Sequence, residues 1–110
     1  MRNISIGSKI WIEKDEQFFL GKGRVQLLMA VKETGSISAA AKSMKMSYKK
    51  AWESVDAMNA LADEPLVLRT TGGRGGGGTV VTEEGEKAIQ LYQNLIKHTT
   101  EFVESETRSI

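Results

Sequence analysis

Gly35-Ser36-Ile37-Ser38-Ala39-Ala40-Ala41-Lys42-Ser43-Met44-Lys45-Met46-Ser47-Tyr48-Lys49-Lys50-Ala51-Trp52-Glu53-Ser54-Val55-Asp56-Ala57-Met58-Asn59-Ala60-Leu61 reads as two helices and a tight turn. Ser36 is placed to cap the first helix, its hydroxyl accepting from the free N–H groups of the first turn. Ile37, Ala40, Ala41 and Met44 then fall on one helical face. The run Ala39 to Ala41 keeps that helix thin, so a second helix can cross it closely. Lys45-Met46 is the expected turn, and Ser47 the second cap. Ala51, Val55, Met58 and Leu61 repeat at helical spacing toward a core, leaving Tyr48, Lys49, Lys50 and Glu53 outside.

This is the layout of a helix-turn-helix, whose second helix enters the DNA major groove with its N-terminal residues leading. Here that tip is Ser47-Tyr48-Lys49-Lys50. Between Ser36 and Trp52 there are four lysines, Lys42, Lys45, Lys49 and Lys50, and no acid. So uneven a patch suits a phosphate backbone. The plainer alternative is a small helical hairpin with a solvated basic face.

The rest of the chain is consistent with one domain over 1–110. Its length suits a single modest core, and 40% hydrophobic with 26% charged residues is ordinary for a globular protein. The net charge of +1 is too small to announce nucleic acid, so any positive field is local. With no cysteine there are no disulfides, thiolate metal sites or thiol nucleophiles. No apolar run approaches the ~20 residues that span a bilayer. Arg2 is not followed by the apolar stretch of a signal peptide. The expectation is a cytoplasmic protein without a membrane partner.

Before the helix pair, residues 4–20 read as a β-hairpin. Ile4, Ile6, Ile10 and Ile12 alternate, and Glu13-Lys14-Asp15-Glu16 turns into Gln17-Phe18-Phe19-Leu20. Trp11 and Phe19 are expected on one face and the isoleucines on the other. Two apolar faces fit either a second subunit or a hairpin capping its own domain. A helix from about Arg24 to Glu33 follows, with Val25, Leu28 and Met29 as its stripe, widened by Leu27 and Val31. Gly35 suits the left-handed residue past its end.

Beyond Leu61, Pro65 stops the helix. Leu66 to Thr70 reads as a strand and Val80-Val81 as its return. Between them Thr70-Thr71-Gly72-Gly73-Arg74-Gly75-Gly76-Gly77-Gly78-Thr79 holds six of the eleven glycines. A strand, glycine tip and strand directly after a helix-turn-helix make a wing. The tip is not a P-loop, since Gly77 is followed by Gly78-Thr79 and the required lysine is missing. Nor is there the βαβ unit of a dinucleotide site. Glycine N–H groups can approach a phosphate closely, and Arg74 can reach a phosphate or the minor groove.

Thr82 caps the last helix, with Glu83, Glu84 and Glu86 favourable at its positive end. It is expected over residues 83–105, regular to about Val103, with a frayed tail after Ser105. It has two apolar seams, Ala88, Leu91, Leu95, Phe102 and Ile89, Tyr92, Ile96, Val103. One seam can pack on the domain while the other meets a symmetry mate. His98, the single histidine, has no partner ligand near it in sequence. Paired carboxylates at useful spacing, a nucleophile–histidine pair and a metal cluster are all missing from the sequence, so an enzyme is not expected.

The runs Gly35 to Lys42, Met46 to Trp52, Met58-Asn59 and Thr71 to Gly78 closely resemble the N-terminal DNA-binding domain of the ModE family of molybdate-responsive transcription regulators. Weaker similarity to LysR-type regulators comes from Ser36-Ile37-Ser38-Ala39-Ala40-Ala41, Pro65-Leu66-Val67 and Thr82-Glu83-Glu84-Gly85. The resemblance implies a mainly α fold with small β (α+β). Its parts are an N-terminal β-hairpin, a helix-turn-helix and β-wing over 22–82, and a long C-terminal dimerisation helix. It also implies a homodimer on a palindromic operator controlling molybdate transport or molybdenum-enzyme genes. Residues placed at DNA are Ser36, Ser38, Lys42, Lys45, Ser47, Tyr48, Lys49, Lys50, Trp52, Arg69, Arg74, Gly75 and Gly76. Trp52 is expected to pack against the wing rather than touch a base. Trp11, Phe19, Ile89, Tyr92, Ile96 and Val103 are placed at the dimer contact. The family's molybdate-binding domains are not in this chain, so no metal or cofactor is expected in it. An alternative class is an interaction module, or adaptor, that docks a separate sensor protein.

Overall fold

Asp15 and Glu16 both take positive φ, 52° and 64°, as a two-residue hairpin loop of the I′ kind requires. They join β1 (Ile12–Lys14) to β2 (Gln17–Leu20), paired antiparallel with an irregularity between Ile12 and Glu13. The computed structural model describes residues 2–70 and 78–110. The hairpin is shorter than the alternating isoleucines predict. The four residues of β2 lead at once toward α1, so no partner strand remains for Ile4 and Ile6, which are left exposed.

Helix α1 (Lys22–Thr34) buries Val25, Leu27, Leu28 and Val31. Met29 is 43% exposed, so the buried stripe turns toward Leu27 and Val31 and away from the expected Met29. Gly35 ends the helix at φ 70°, with its N–H donating to the Val31 carbonyl. Helices α2 (Ile37–Ser43) and α3 (Tyr48–Leu61) follow. Ala40, Ala41 and Ala51 are all essentially inaccessible, so two thin helices meet with no side chain longer than a methyl at those points. Lys45 takes the left-handed conformation in the turn, φ 56°. Strands β3 (Val67–Arg69) and β4 (Thr79–Val81) pair antiparallel, Val67 opposite Val81 and Arg69 opposite Thr79.

The core is one cluster. Leu20, Leu27, Leu28, Val31, Val55 and Met58 are its largest fully buried side chains, joined by Leu66, Val67, Ala88, Ile89 and Tyr92. Helix α4 (Glu83–Arg108) starts on Thr82, whose Oγ1 accepts from Gly85 N. It runs five residues past Val103, so the expected frayed tail is largely helical; Thr107 Oγ1 donates to the Val103 carbonyl there. At ~1.5 Å per residue its 26 residues reach about 39 Å. Beyond Ile96 none of its residues is buried. The radius of gyration, 16.7 Å, exceeds the ~13 Å of a compact chain of this length because of that projection.

Helix α4 also corrects the dimer assignment. Ile89 and Tyr92, expected at a subunit contact, are each 6% exposed within the chain's own core, and Ile96 packs half-buried against that core. The Tyr92 hydroxyl donates to the Ile10 carbonyl, 2.8 Å away, tying the N-terminal segment down. Phe19 likewise packs half-buried on the core, whereas Trp11 is exposed and Val103 half-buried. The seam left outside is Leu91, Leu95 and Phe102, at 50%, 37% and 64% exposure. Both seams lie within one broad apolar arc, and the packing of α1 selects which half turns inward.

Candidate nucleic-acid interface

Both helices of the pair begin as their sequences require. Ser36 Oγ accepts from Ala39 N at 3.1 Å and Ser47 Oγ from Lys50 N at 3.0 Å. Each serine thereby supplies an acceptor to the first turn. No acidic residue stands in the first turn of α2 or α3. The positive end of the α3 dipole is therefore left uncompensated, which favours an approaching anion.

Around that tip Ser38, Lys42, Lys45, Tyr48, Lys49 and Lys50 are all exposed. Lys49 Nζ lies 3.9 Å from Glu53 Oε1, both highly exposed, a pairing too loose and too solvated to neutralise the patch. Trp52 is half-buried one turn along from Tyr48, the two rings meeting edge to face with centroids 6.3 Å apart. The Arg69 guanidinium lies over the indole, 4.0 Å from its centroid. Strand alternation explains this: Arg69 stands on the same face of β3 as Val67, though itself exposed, while Leu68 stands on the other. Trp52 thus packs against the wing, as expected for a residue next to core Ala51. Its Nε1 finds no acceptor among the described residues, so its ring face accounts for its place there. Arg74, Gly75 and Gly76 lie outside the described residues.

Two polar clips, not evident from the sequence, hold the wing to the helices. Asn59 Oδ1 accepts from Leu66 N at 2.8 Å and Val67 N at 3.3 Å, and Asn59 Nδ2 donates to the Val67 carbonyl at 3.0 Å. The carboxamide of α3 so mimics a strand edge for the first residues of β3. On the other side Thr79 N donates to the Gly35 carbonyl, and Thr79 Oγ1 accepts from Ile37 N at 3.2 Å. Thr79 is the buried polar side chain of β4, at 6% exposure. A side chain at Gly78 would press on the Gly35 carbonyl. In the sequence Asn59 is marked only by the family resemblance of Met58-Asn59, which does not disclose its bonds to the wing, and Thr79 only as a small polar residue between Gly78 and Val80.

Clips of this kind make the helix pair and the hairpin one rigid module, which defines the chain as a winged helix-turn-helix protein. The chain belongs to the bacterial regulatory helix-turn-helix proteins of the lysR family, whose sequence model matches residues 23–86. It is 42% identical over 101 residues to the transcriptional regulator ModE of Haemophilus influenzae, covering 92% of this chain and 38% of that protein. It is 43% identical over 84 residues to the DNA-binding transcriptional dual regulator ModE of Escherichia coli K12, covering 76% of this chain and 32% of that one. The molybdenum-pterin-binding protein MopB of Rhodobacter capsulatus is 52% identical over 73 residues, 66% of this chain and 27% of the relative. The chain thus spans well under half the length of these relatives. Among solved structures, the CbnR DBD–DNA complex matches with a TM-score of 0.60 at 20% identity, over 79% of this chain and 94% of that one. ArgP of Mycobacterium tuberculosis matches at 0.54 and 19%, over 77% of this chain and 30% of that one. These two likenesses establish the fold. Family and fold are those of DNA-binding transcription regulators and not of enzymes. No helix among the described residues is long and apolar enough to cross a membrane.

Proposed function

We propose that the chain binds double-stranded DNA sequence-specifically as a homodimer, on a palindromic operator, as the DNA-reading part of a cytoplasmic ModE-like regulator. Lys49 and Lys50 contact guanine edges or phosphates, and Tyr48 and Ser47 contact phosphates or thymine methyls. Ser36, Ser38, Lys42 and Lys45 face the flanking backbone. The genes controlled are those of molybdate transport or molybdenum enzymes, in keeping with the names of the relatives. The observation that carries the reading is the capped, acid-free tip of α3, standing exposed beside a wing clipped to the same body.

The dimer is placed on Leu91, Leu95 and Phe102, with Val103 at its margin. Two facts support this. The stripe is exposed, and the helical turns after Ile96 project without buried residues. About a dozen helical residues standing alone in water are marginally stable, so a second helix packed along them supplies what the monomer lacks. Paired recognition helices are then expected ~34 Å apart, matching half-sites one turn of duplex apart.

A gel-shift titration across salt concentrations tests the reading. With about six phosphates neutralised per complex, log K is expected to fall against log salt with a slope near −5. Absence of salt-dependent binding to any duplex, genomic fragments included, contradicts it.

A further inference from the structure

We propose that Arg69, at the root of the wing, is a phosphate-contacting residue, and that Trp52 is the residue that positions it. The inference rests on the DNA-binding reading above. Arg69 belongs to β3 and Trp52 to α3, so the guanidinium 4.0 Å above the indole ties the wing to the recognition helix by a charged side chain. Cation–π attraction at a partly buried ring holds the planar group in one orientation, and a planar guanidinium presents its N–H fork along its edge. Stacking occupies the face and leaves that edge open. Arg69 is exposed and has no acidic partner among the described residues. Its charge is therefore directed without being spent. Tyr48, edge-on to Trp52, extends the strip to the exposed tip of α3. The strip runs from the wing root to the tip of α3.

A flexible arginine loses rotamer freedom when it docks on a phosphate; one already stacked loses less. Trp52 thus contributes affinity without touching DNA. It does so through Arg69 alone, which distinguishes positioning from a general role in stability.

The test uses the full chain and a short duplex that the protein itself selects from random sequence. Binding is titrated across salt for the parent, Arg69→Gln, Arg69→Lys, Trp52→Phe, Trp52→Leu and the double change Trp52→Leu/Arg69→Gln, with thermal unfolding measured beside each. Arg69→Gln is expected to weaken binding roughly tenfold and to lower the salt slope by about one. Arg69→Lys keeps the slope and loses part of the affinity, because an ammonium does not stack as a planar fork does. Trp52→Phe, which retains a ring face, stays close to the parent. Trp52→Leu weakens binding, and combining it with Arg69→Gln adds nothing further. Should Trp52→Leu unfold, Trp52→Met replaces it in the same double-change cycle with Arg69→Gln, while the two Arg69 variants decide the phosphate contact. Unchanged affinity and slope in Arg69→Gln, with the parent binding normally, overturns the inference and leaves the DNA-binding reading intact. An additive effect of the two changes assigns Trp52 a separate role and overturns the positioning. Failure of the parent to select any duplex removes the reading on which the inference stands.

Discussion

Changing Lys49 and Lys50 together to glutamate is expected to weaken DNA binding at least about a hundredfold at physiological salt, with the fold and the dimer intact. Both side chains are exposed, and neither is part of the core. The cap of α3 uses the backbone N–H of Lys50, which the substitution keeps. Acidic residues in a first turn favour the helix dipole, so the helix itself gains slightly. The local costs are loss of the loose Lys49–Glu53 pair and two like-charge pairs with Glu53, from positions 49 and 50, each a few tenths of a kcal/mol. Circular dichroism and sedimentation are therefore expected to be unchanged while the gel shift disappears. Unaltered binding would place the DNA contact elsewhere and revive the alternative of a scaffold that docks a separate sensor.

The second large effect concerns stability. Gly85 sits in the first turn of α4 where that helix crosses the wing, and a Cβ there would run into the Leu66 carbonyl oxygen and Val81 Cγ1. Backbone cannot yield as a flexible side chain does. Thr82 fixes the same turn from two sides, its Oγ1 accepting from Gly85 N and donating to the Pro65 carbonyl. Gly85→Val is expected to cost about 3 kcal/mol by overpacking. That corresponds to a fall of roughly 10–20 °C in the unfolding midpoint of a domain this size. Gly23→Ala is the control: nothing lies within 4 Å of its new methyl, and alanine favours the helix, so the midpoint holds or rises slightly. A Gly85→Val protein melting with the parent would mean that α4 does not cross the wing this closely.

What the sequence discloses and what it conceals divide by range. Ser36, Ser47 and Thr82 are legible as caps, and Gly35 as the left-handed terminus, because each answers to backbone groups within four residues. The basic tip is legible for the same reason. Met29 and the seams of α4 are another matter. Adjacent apolar stripes have equal periodicity, and only the packing of α1 against α4 decides that Leu27 and Ile89 go inward while Met29 and Leu91 stay out. Asn59 and Thr79 act on backbone that no local pattern points to; Thr79 reaches Ile37, 42 positions away. The isoleucine alternation at the N-terminus overstates the hairpin because a strand needs a partner of equal length, and β2 is four residues long.

The most direct measurement is the change in backbone amide shifts across the chain when a short duplex is added. The expected result is perturbation centred on residues 47–50, extending to Ser38, Lys42 and Arg69, with the hairpin at residues 12–20 and the Leu91–Phe102 stripe of α4 unaffected. Perturbation centred on that hairpin or that stripe, with residues 47–50 silent, would contradict the placement of the α3 tip in the groove.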